Sequence, residues 1–273
     1  MDRITTVNVD IQEVHVSFET VYSDSFSFFL SNEALNGILN RTDKKYRVGV
    51  DYQRLCLRYE LCIGSIADPP YSNADFYAHH YTLPQEAQEG NARQLEKLSG
   101  IDSAVPVYLW LNDNAANVLL NLLFFAKEFE RFENVFLVRW NHTEKDFNGS
   151  KFSMIKALKH KTRLSKQDLY DMSARFCEIQ KWNAELLVGD SFHVEPWPLS
   201  RLEEYVLSCM TERYRYFNSI FSNVCKAIKK ATSLQISYHM FQEAVYHLMM
   251  LGKIESQGGG DMIITQRFRL PKA

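Results

Sequence analysis

A continuous apolar run over residues 105–111 (VPVYLWL) and a second strand-like run, Val135–Trp140 (VFLVRW), whose one polar residue is Arg139, constrain this chain more than any other feature. Neither alternates polar with apolar residues, so neither suits a half-exposed sheet. Strands buried on both faces read this way, and they occur in parallel sheets covered by helices. Between the runs, Asn112, Asp113 and Asn114 offer an N-cap to a helix over 115–129 that is apolar nearly all round. Strand, helix and strand in this order predict a βαβ unit with a right-handed crossover.

The pattern extends upstream. Residues 13–18 (EVHVSF) alternate as a short strand, a polar turn passes through Glu19, Ser23 and Asp24, and residues 26–39 read as a helix. Residues 54–58 (RLCLR) form a second strand, and Gly64 marks a turn after it. Residues 46–52 read as either a strand or a loop. Pro69, Pro70 and Pro84 punctuate a loop that leads to a helix around 86–98. Beyond the fourth strand a basic connection precedes a helix over 164–187. Ser165 caps it with Asp168 three residues on, Leu164 and Leu169 make a staple, and Met172, Phe176, Ile179 and Trp182 share one side. Residues 189–198, with Pro196 and Pro198, read as a linker.

The tail has its own pattern. A first helix begins at Ser200, with Glu203 completing a capping box and Leu202, Tyr205, Val206 and Cys209 on its apolar side. The second has the strongest period in the chain: Phe217, Ile220, Phe221, Val224, Cys225 and Ile228 against Asn218, Ser222, Lys226, Lys229 and Lys230. The third, over 237–251, buries Phe241, Val245 and Leu248 and stops at Gly252. A strand from Ile254, a tight turn at Gly258, Gly259, Gly260 and Asp261, and a return strand over 262–270 then make a hairpin. On the return strand Ile264, Phe268 and Leu270 share one face, and Thr265, Arg267 and Arg269 share the other, toward water. Three helices and a wing follow winged-helix order. The expected fold class is therefore α/β: a Rossmann-like, mostly parallel sheet with flanking helices over 1–188, then a winged-helix-like helical domain over 199–273.

At 273 residues the chain is long enough for two cores, given about 150 residues per domain. Its 46% hydrophobic, 23% charged and 13% aromatic residues exclude a disordered chain. No apolar run nears the ~18 residues of a membrane span, and the first ten residues lack the apolar core of a secretory signal. A cytoplasmic location is expected. Five cysteines, with no CxxC pair, read as reduced core residues. The net charge of −2 hides an asymmetry: residues 200–273 hold 10 Lys/Arg against 6 Asp/Glu, and the rest holds 21 against 27. That end is basic, but less so than a dedicated duplex binder, whose affinity comes largely from phosphate neutralisation.

The pieces VHVSF, RLCLRYELCIGSI, VYLWLNDNA, a helix bearing Trp182, and LMMLGKIESQGGGDMIITQRFRL together resemble a bacterial two-domain family. Its halves are known as domain of unknown function 1835 (N-terminal) and domain of unknown function 3658 (C-terminal). The resemblance covers most of the chain and is densest over 248–270. It implies an α/β domain joined to a helical one, and it brings no established activity. The family pattern has a glycine after the first strand and Gly-Pro after the second. Here those positions hold Glu19 and Gly64 with Ser65, a departure where glycines would bring backbone close to a ligand.

In an open parallel sheet, ligands bind beyond the carboxyl ends of the strands where the strand order reverses. The residues expected there are Glu19 and Ser23, Gly64 and Ser65, Asn112, Asp113 and Asn114, and Asn141 with His142. With helix N-termini aimed at it, such a pocket suits a small anion. The plainer alternative is that Asn112–Asn114 cap a helix and the others turn the chain. No GxGxxG or P-loop is present, and no pattern names a cofactor. Lys156, Lys159, His160, Lys161, Arg163 and Lys166 form a basic run, either a phosphate site or a solvated surface. His239, Glu243 and His247 stand four apart on the third tail helix, but three ligands on one straight helix seldom converge on one ion, and no metal is expected.

That helix is expected to present Gln242, Tyr246 and Met250 outward, with no lysine or arginine to grip DNA. A protein contact or homodimer suits it better, with Arg267 and Arg269 of the wing contributing. The expected function is a ligand-sensing or regulatory binding protein whose tail contacts a protein, or less favourably DNA. The alternative is an enzyme acting on a phosphorylated or nucleotide-like molecule, with Asp113 and His142 as acid and base.

Overall fold

The computed structural model describes residues 12–19, 52–59, 61–64, 66, 84–112, 116–140, 156–190, 192–258 and 265–271. The expected helix over 26–39 lies outside them. The chain divides into two units, one of residues 1–59, 77–113 and 118–178, the other of 60–76, 114–117 and 179–273. Among the described residues, no helix is long and apolar enough to cross a membrane.

The first unit is built on a five-stranded sheet of β1 (Glu13–Glu19), β2 (Tyr52–Arg58), β3 (Val107–Asn112), β4 (Val135–Trp140) and β5 (Thr162–Leu164), in the order β2-β1-β3-β4-β5. The first four are parallel and β5 joins β4 antiparallel, so the chain is mixed α/β with a mostly parallel sheet. The apolar runs are explained by burial on both faces: Leu109, Trp110 and Leu111 are all fully buried. The alternating β1 is buried on both sides too, with His15 and Ser17 as inaccessible as Val14 and Val16.

Among the described residues the sheet is accompanied by α1 (Pro84–Ser99), α2 (Ala116–Phe125), α3 (Lys166–Gln180) and a helical turn over 156–159. The last residues of the expected helix over 115–129 form a separate 3-10 turn, Ala126–Phe129, whose Phe129 packs edge-on against Phe18 at 6.3 Å. Arg131 closes the end of α1 by donating to the carbonyls of Leu98 and Ile101, groups a helix C-terminus leaves without partners. The Ser165 capping box forms as expected: the Asp168 carboxylate accepts the Ser165 N–H at 2.7 Å, and the Ser165 hydroxyl accepts the Asp168 N–H at 3.1 Å.

The second unit departs from expectation at its start. The helix expected to reach 187 ends at Gln180, Asn183 turns left-handed (φ 48°), and a hairpin follows of β6 (Leu186–Gly189) and β7 (Val194–Trp197). The expected proline linker is thus a strand. Pro196 pairs with Leu187, whose N–H points the other way, to the Cys62 carbonyl at 2.8 Å. A proline at such a non-hydrogen-bonded position forfeits no ladder bond. Gly189 is required at the bend, since a Cβ there would collide with the His193 carbonyl.

Helices α4 (Leu199–Ser208), α5 (Phe217–Thr232) and α6 (Tyr238–Met250) follow, with β8 (Arg215–Tyr216) before α5, and β9 (Glu255–Gln257) and β10 (Arg267–Arg269) after α6. The strands form an antiparallel sheet in the order β8-β10-β9. The α5 stripe is buried as read, through Phe217, Ile220, Val224 and Ile228, and Phe217 meets the rings of Phe241 (4.7 Å) and Phe268 (5.9 Å) at the centre of the core.

Two local readings change. The Ser200 capping box does not form: α4 starts at Leu199 after Pro198, Glu185 accepts the Leu199 N–H at 2.6 Å, and Glu203 is drawn into the core by a partner on α6. Arg267 pairs with Gln257, and the expected tight turn lies, beyond Gly258, outside the described residues. Among the cysteines, Cys62 is buried, Cys56, Cys209 and Cys225 are half-buried, and Cys177 is exposed, contrary to a core role.

Candidate functional site

The strand order runs outward from β1 to β2 on one side and from β3 to β4 on the other, so it reverses between β1 and β3. Such a reversal opens a crevice beyond the carboxyl ends of the two strands. Ser17 is in register with Trp110, and each strand runs two residues further, β1 to Glu19 and β3 to Asn112. On its other side Glu19 pairs with Arg58 at the end of β2. Sequence reasoning therefore brought Glu19 and Asn112 to one edge of the sheet. Ser23, Ser65, Asp113, Asn114, Asn141 and His142 lie outside the described residues.

Gly64 belongs to the second unit. Its neighbour Ile63 bridges Leu186, and its own N–H donates to the Glu185 carbonyl at 2.7 Å, with φ at 75° as its glycine identity allows. It lines a cleft of about 310 Å³ with Ile63, Asn183, Glu185, Leu186 and Glu243. Burial pushes the Glu243 carboxyl above the usual carboxylate range, a shift that His247 opposes.

The outward face expected of α6 is largely covered. Gln242 is only 9% exposed, and Glu243, Tyr246 and His247 are half-buried, while Met250 at 82% is open. The cause is α4, whose buried Glu203 accepts a hydrogen bond from the His247 Nδ1. With His247 committed to Glu203, the four-residue spacing of His239, Glu243 and His247 does not form a ligand set. Among the described residues no group of three or more His, Cys, Asp or Glu is placed to hold a metal ion.

The wing arginines also part company. Arg267 is exposed and lies 5.5 Å from the Tyr216 ring centroid. Arg269 is half-buried, donates from Nε to Glu255 at 2.7 Å and lies 4.5 Å over Tyr214. Part of the basic run is committed to its own unit: Arg163 donates to the Glu133 carbonyl and to Asn134 Oδ1, and Lys161 sits over the rings of Tyr108 and Phe136.

Sequence reasoning missed a polar chain inside the sheet. The Trp110 indole N–H donates to His15 Nδ1 at 3.2 Å, which leaves the other imidazole proton on Nε2, facing Glu13 at 3.3 Å. The Tyr108 hydroxyl reaches the second Glu13 oxygen at 3.3 Å, and its ring stacks on His15 at 4.8 Å. The two-residue strand period puts Glu13 and His15 on one face, but their partners come from a different strand, which spacing along the chain does not reveal. It also missed the buried amides of α2: Asn121 binds the backbone of Tyr59, and Asn117 accepts the Leu61 N–H at 2.7 Å.

Compared with models of protein families and with curated proteins, the chain matches no family model and no curated protein.

Proposed function

We propose that this is a ligand-sensing or regulatory binding protein. The α/β unit takes a small polar or anionic molecule beyond the carboxyl ends of β1 and β3, and the C-terminal unit contacts a protein partner or a second copy of the chain. The single observation that carries the ligand reading is the reversal of strand order between β1 and β3, the strands that Glu19 and Asn112 end. In sequence, Ser23 follows β1 and Asp113 and Asn114 follow β3, polar residues of the kind that accompany backbone N–H groups in holding small anions.

The winged-helix-like reading of the C-terminal unit is supported by its element order, helix, strand, two helices and two strands, and by β10 lying between β8 and β9. A duplex reader of this kind uses an exposed third helix. Here that helix carries no lysine or arginine, Gln242 is buried and His247 is bound to Glu203. Met250 and Leu251, exposed at its end with Tyr246 half-exposed nearby, suit a protein contact better than a groove.

A thermal-shift screen of the full chain against nucleotides, sugar phosphates and dicarboxylates tests the ligand reading, because a molecule that binds only the folded state raises its melting temperature. A saturable rise for one chemical class, reduced in Asp113→Ala, supports it. A flat response across the panel argues for a scaffold instead.

A further inference from the structure

Glu243 lines a cleft as a half-buried carboxyl with nothing bonded to it. Among the described residues it accepts no hydrogen bond and joins no ion pair, and the one charge it feels is that of His247, a turn further along α6. His247 is itself bonded through Nδ1 to the buried carboxyl of Glu203, so it serves that partner first. A carboxylate taken out of water without a partner is costly, and burial accordingly outweighs His247 in raising the Glu243 carboxyl. The cleft of about 310 Å³ beside it is lined from the second unit alone and is large enough for a small molecule. Its described lining holds no lysine or arginine. The other acid there is committed: the Glu185 carboxylate accepts the Leu199 N–H at 2.6 Å, and the Glu185 carbonyl accepts the Gly64 N–H at 2.7 Å. Ala184 and Leu199, both half-buried, give the cleft apolar surface.

We propose that this cleft binds a small organic cation, an amine or guanidine on a short alkyl chain, with Glu243 as its counter-charge and Ala184 and Leu199 against the chain. The unpaired carboxyl selects the charge, because a cation hydrogen-bonded to Glu243 offsets the cost of its burial. The apolar surface selects a carbon chain. A metal ion needs several oxygen or nitrogen ligands and finds one uncommitted carboxylate, in keeping with the lack of any metal-holding group of side chains among the described residues. The inference does not rest on the ligand reading of the α/β unit, whose residues it does not share, and failure of either leaves the other standing.

Isothermal titration calorimetry of the full chain at neutral pH tests it, using butylamine, butylguanidine and diaminobutane, with butanol as the uncharged match for butylamine. Saturable binding of at least one of the cations and none of the alcohol is expected. Glu243→Gln keeps the shape of the side chain and removes its charge, and is expected to weaken binding about thirtyfold. This variant relieves a buried carboxyl, so its melting temperature is expected to be no lower than the parent's, and a loss of binding is not a loss of fold. Ala184→Leu leaves Glu243 in place but narrows the cleft, and is expected to weaken binding as well. Equal binding of butanol, binding unchanged in Glu243→Gln, or no binding of any of the three cations at millimolar concentration overturns the proposal.

Discussion

Asn121 grips the backbone of Tyr59 from both sides: its Oδ1 accepts the Tyr59 N–H and its Nδ2 donates to the Tyr59 carbonyl, each at 2.8 Å. Asn121 is fully buried, and the ring of Tyr59 stacks on Phe125 at 5.5 Å. A side-chain amide here does what a neighbouring strand does elsewhere, serving backbone groups just past the end of β2 that have left the ladder. Asn121→Ala strands both groups away from water. Urea unfolding is expected to show a loss of about 2–4 kcal/mol, and Asn121→Asp, which cannot donate when ionised, is expected not to rescue it.

The pair Glu203 and His247 joins α4 to α6 across the core of the C-terminal unit. A double-mutant cycle of Glu203→Gln and His247→Phe, read by thermal unfolding, is expected to give a favourable coupling on the order of 1 kcal/mol. Strict additivity of the two changes shows that the contact contributes nothing.

Glu243 supplies a pH dependence whose sign is set by burial. Its carboxyl is raised in the folded protein, so folding favours its protonated form; the stability it lends is complete below the ordinary carboxylate range and is lost as pH rises through the folded value. Glu243→Gln is therefore expected to melt above the parent at neutral pH, with the gap closing toward about pH 4. Melting curves across that range check it, and a constant gap rules out titration as the cause.

Thiol reactivity is expected to separate the cysteines. Burial pushes the Cys225 thiol up to about 11, leaving almost no thiolate at pH 8, whereas Cys177 is exposed. Brief treatment of the native protein with iodoacetamide is expected to label Cys177 first and Cys225 last by peptide mass spectrometry. Early labelling of Cys225 contradicts its packing on α5.

Legibility in the sequence followed how local each interaction is. β4 spans Val135–Trp140 as read, because Val135, Leu137 and Val138 are buried and Arg139 alone breaks the apolar run, and Ser165 with Asp168 form a capping box that spacing alone announces. The Phe217–Ile228 stripe was legible because a single helix carries the whole period. The β6–β7 hairpin was not, since Pro196 reads as a breaker until its partner Leu187 is seen to bond with Cys62 instead. Glu203 has the spacing of a capping box with Ser200 and is claimed instead by His247, on a helix far along the chain. Partners from another strand likewise hid the Glu13, His15 and Trp110 chain. Of the expected ligand residues, Glu19 and Asn112 each end a strand of the parallel sheet, whereas Gly64 belongs to the second unit, where Ile63 beside it bridges β6.

The central claim is that a small molecule binds where β1 and β3 end. Amide hydrogen exchange of the full chain, with and without the compound giving the largest thermal shift, tests it most directly. The account predicts slowed exchange in the segments that follow Glu19 and Asn112, at the edge where strand order reverses. Protection confined to the C-terminal unit, or none at saturating compound, contradicts it.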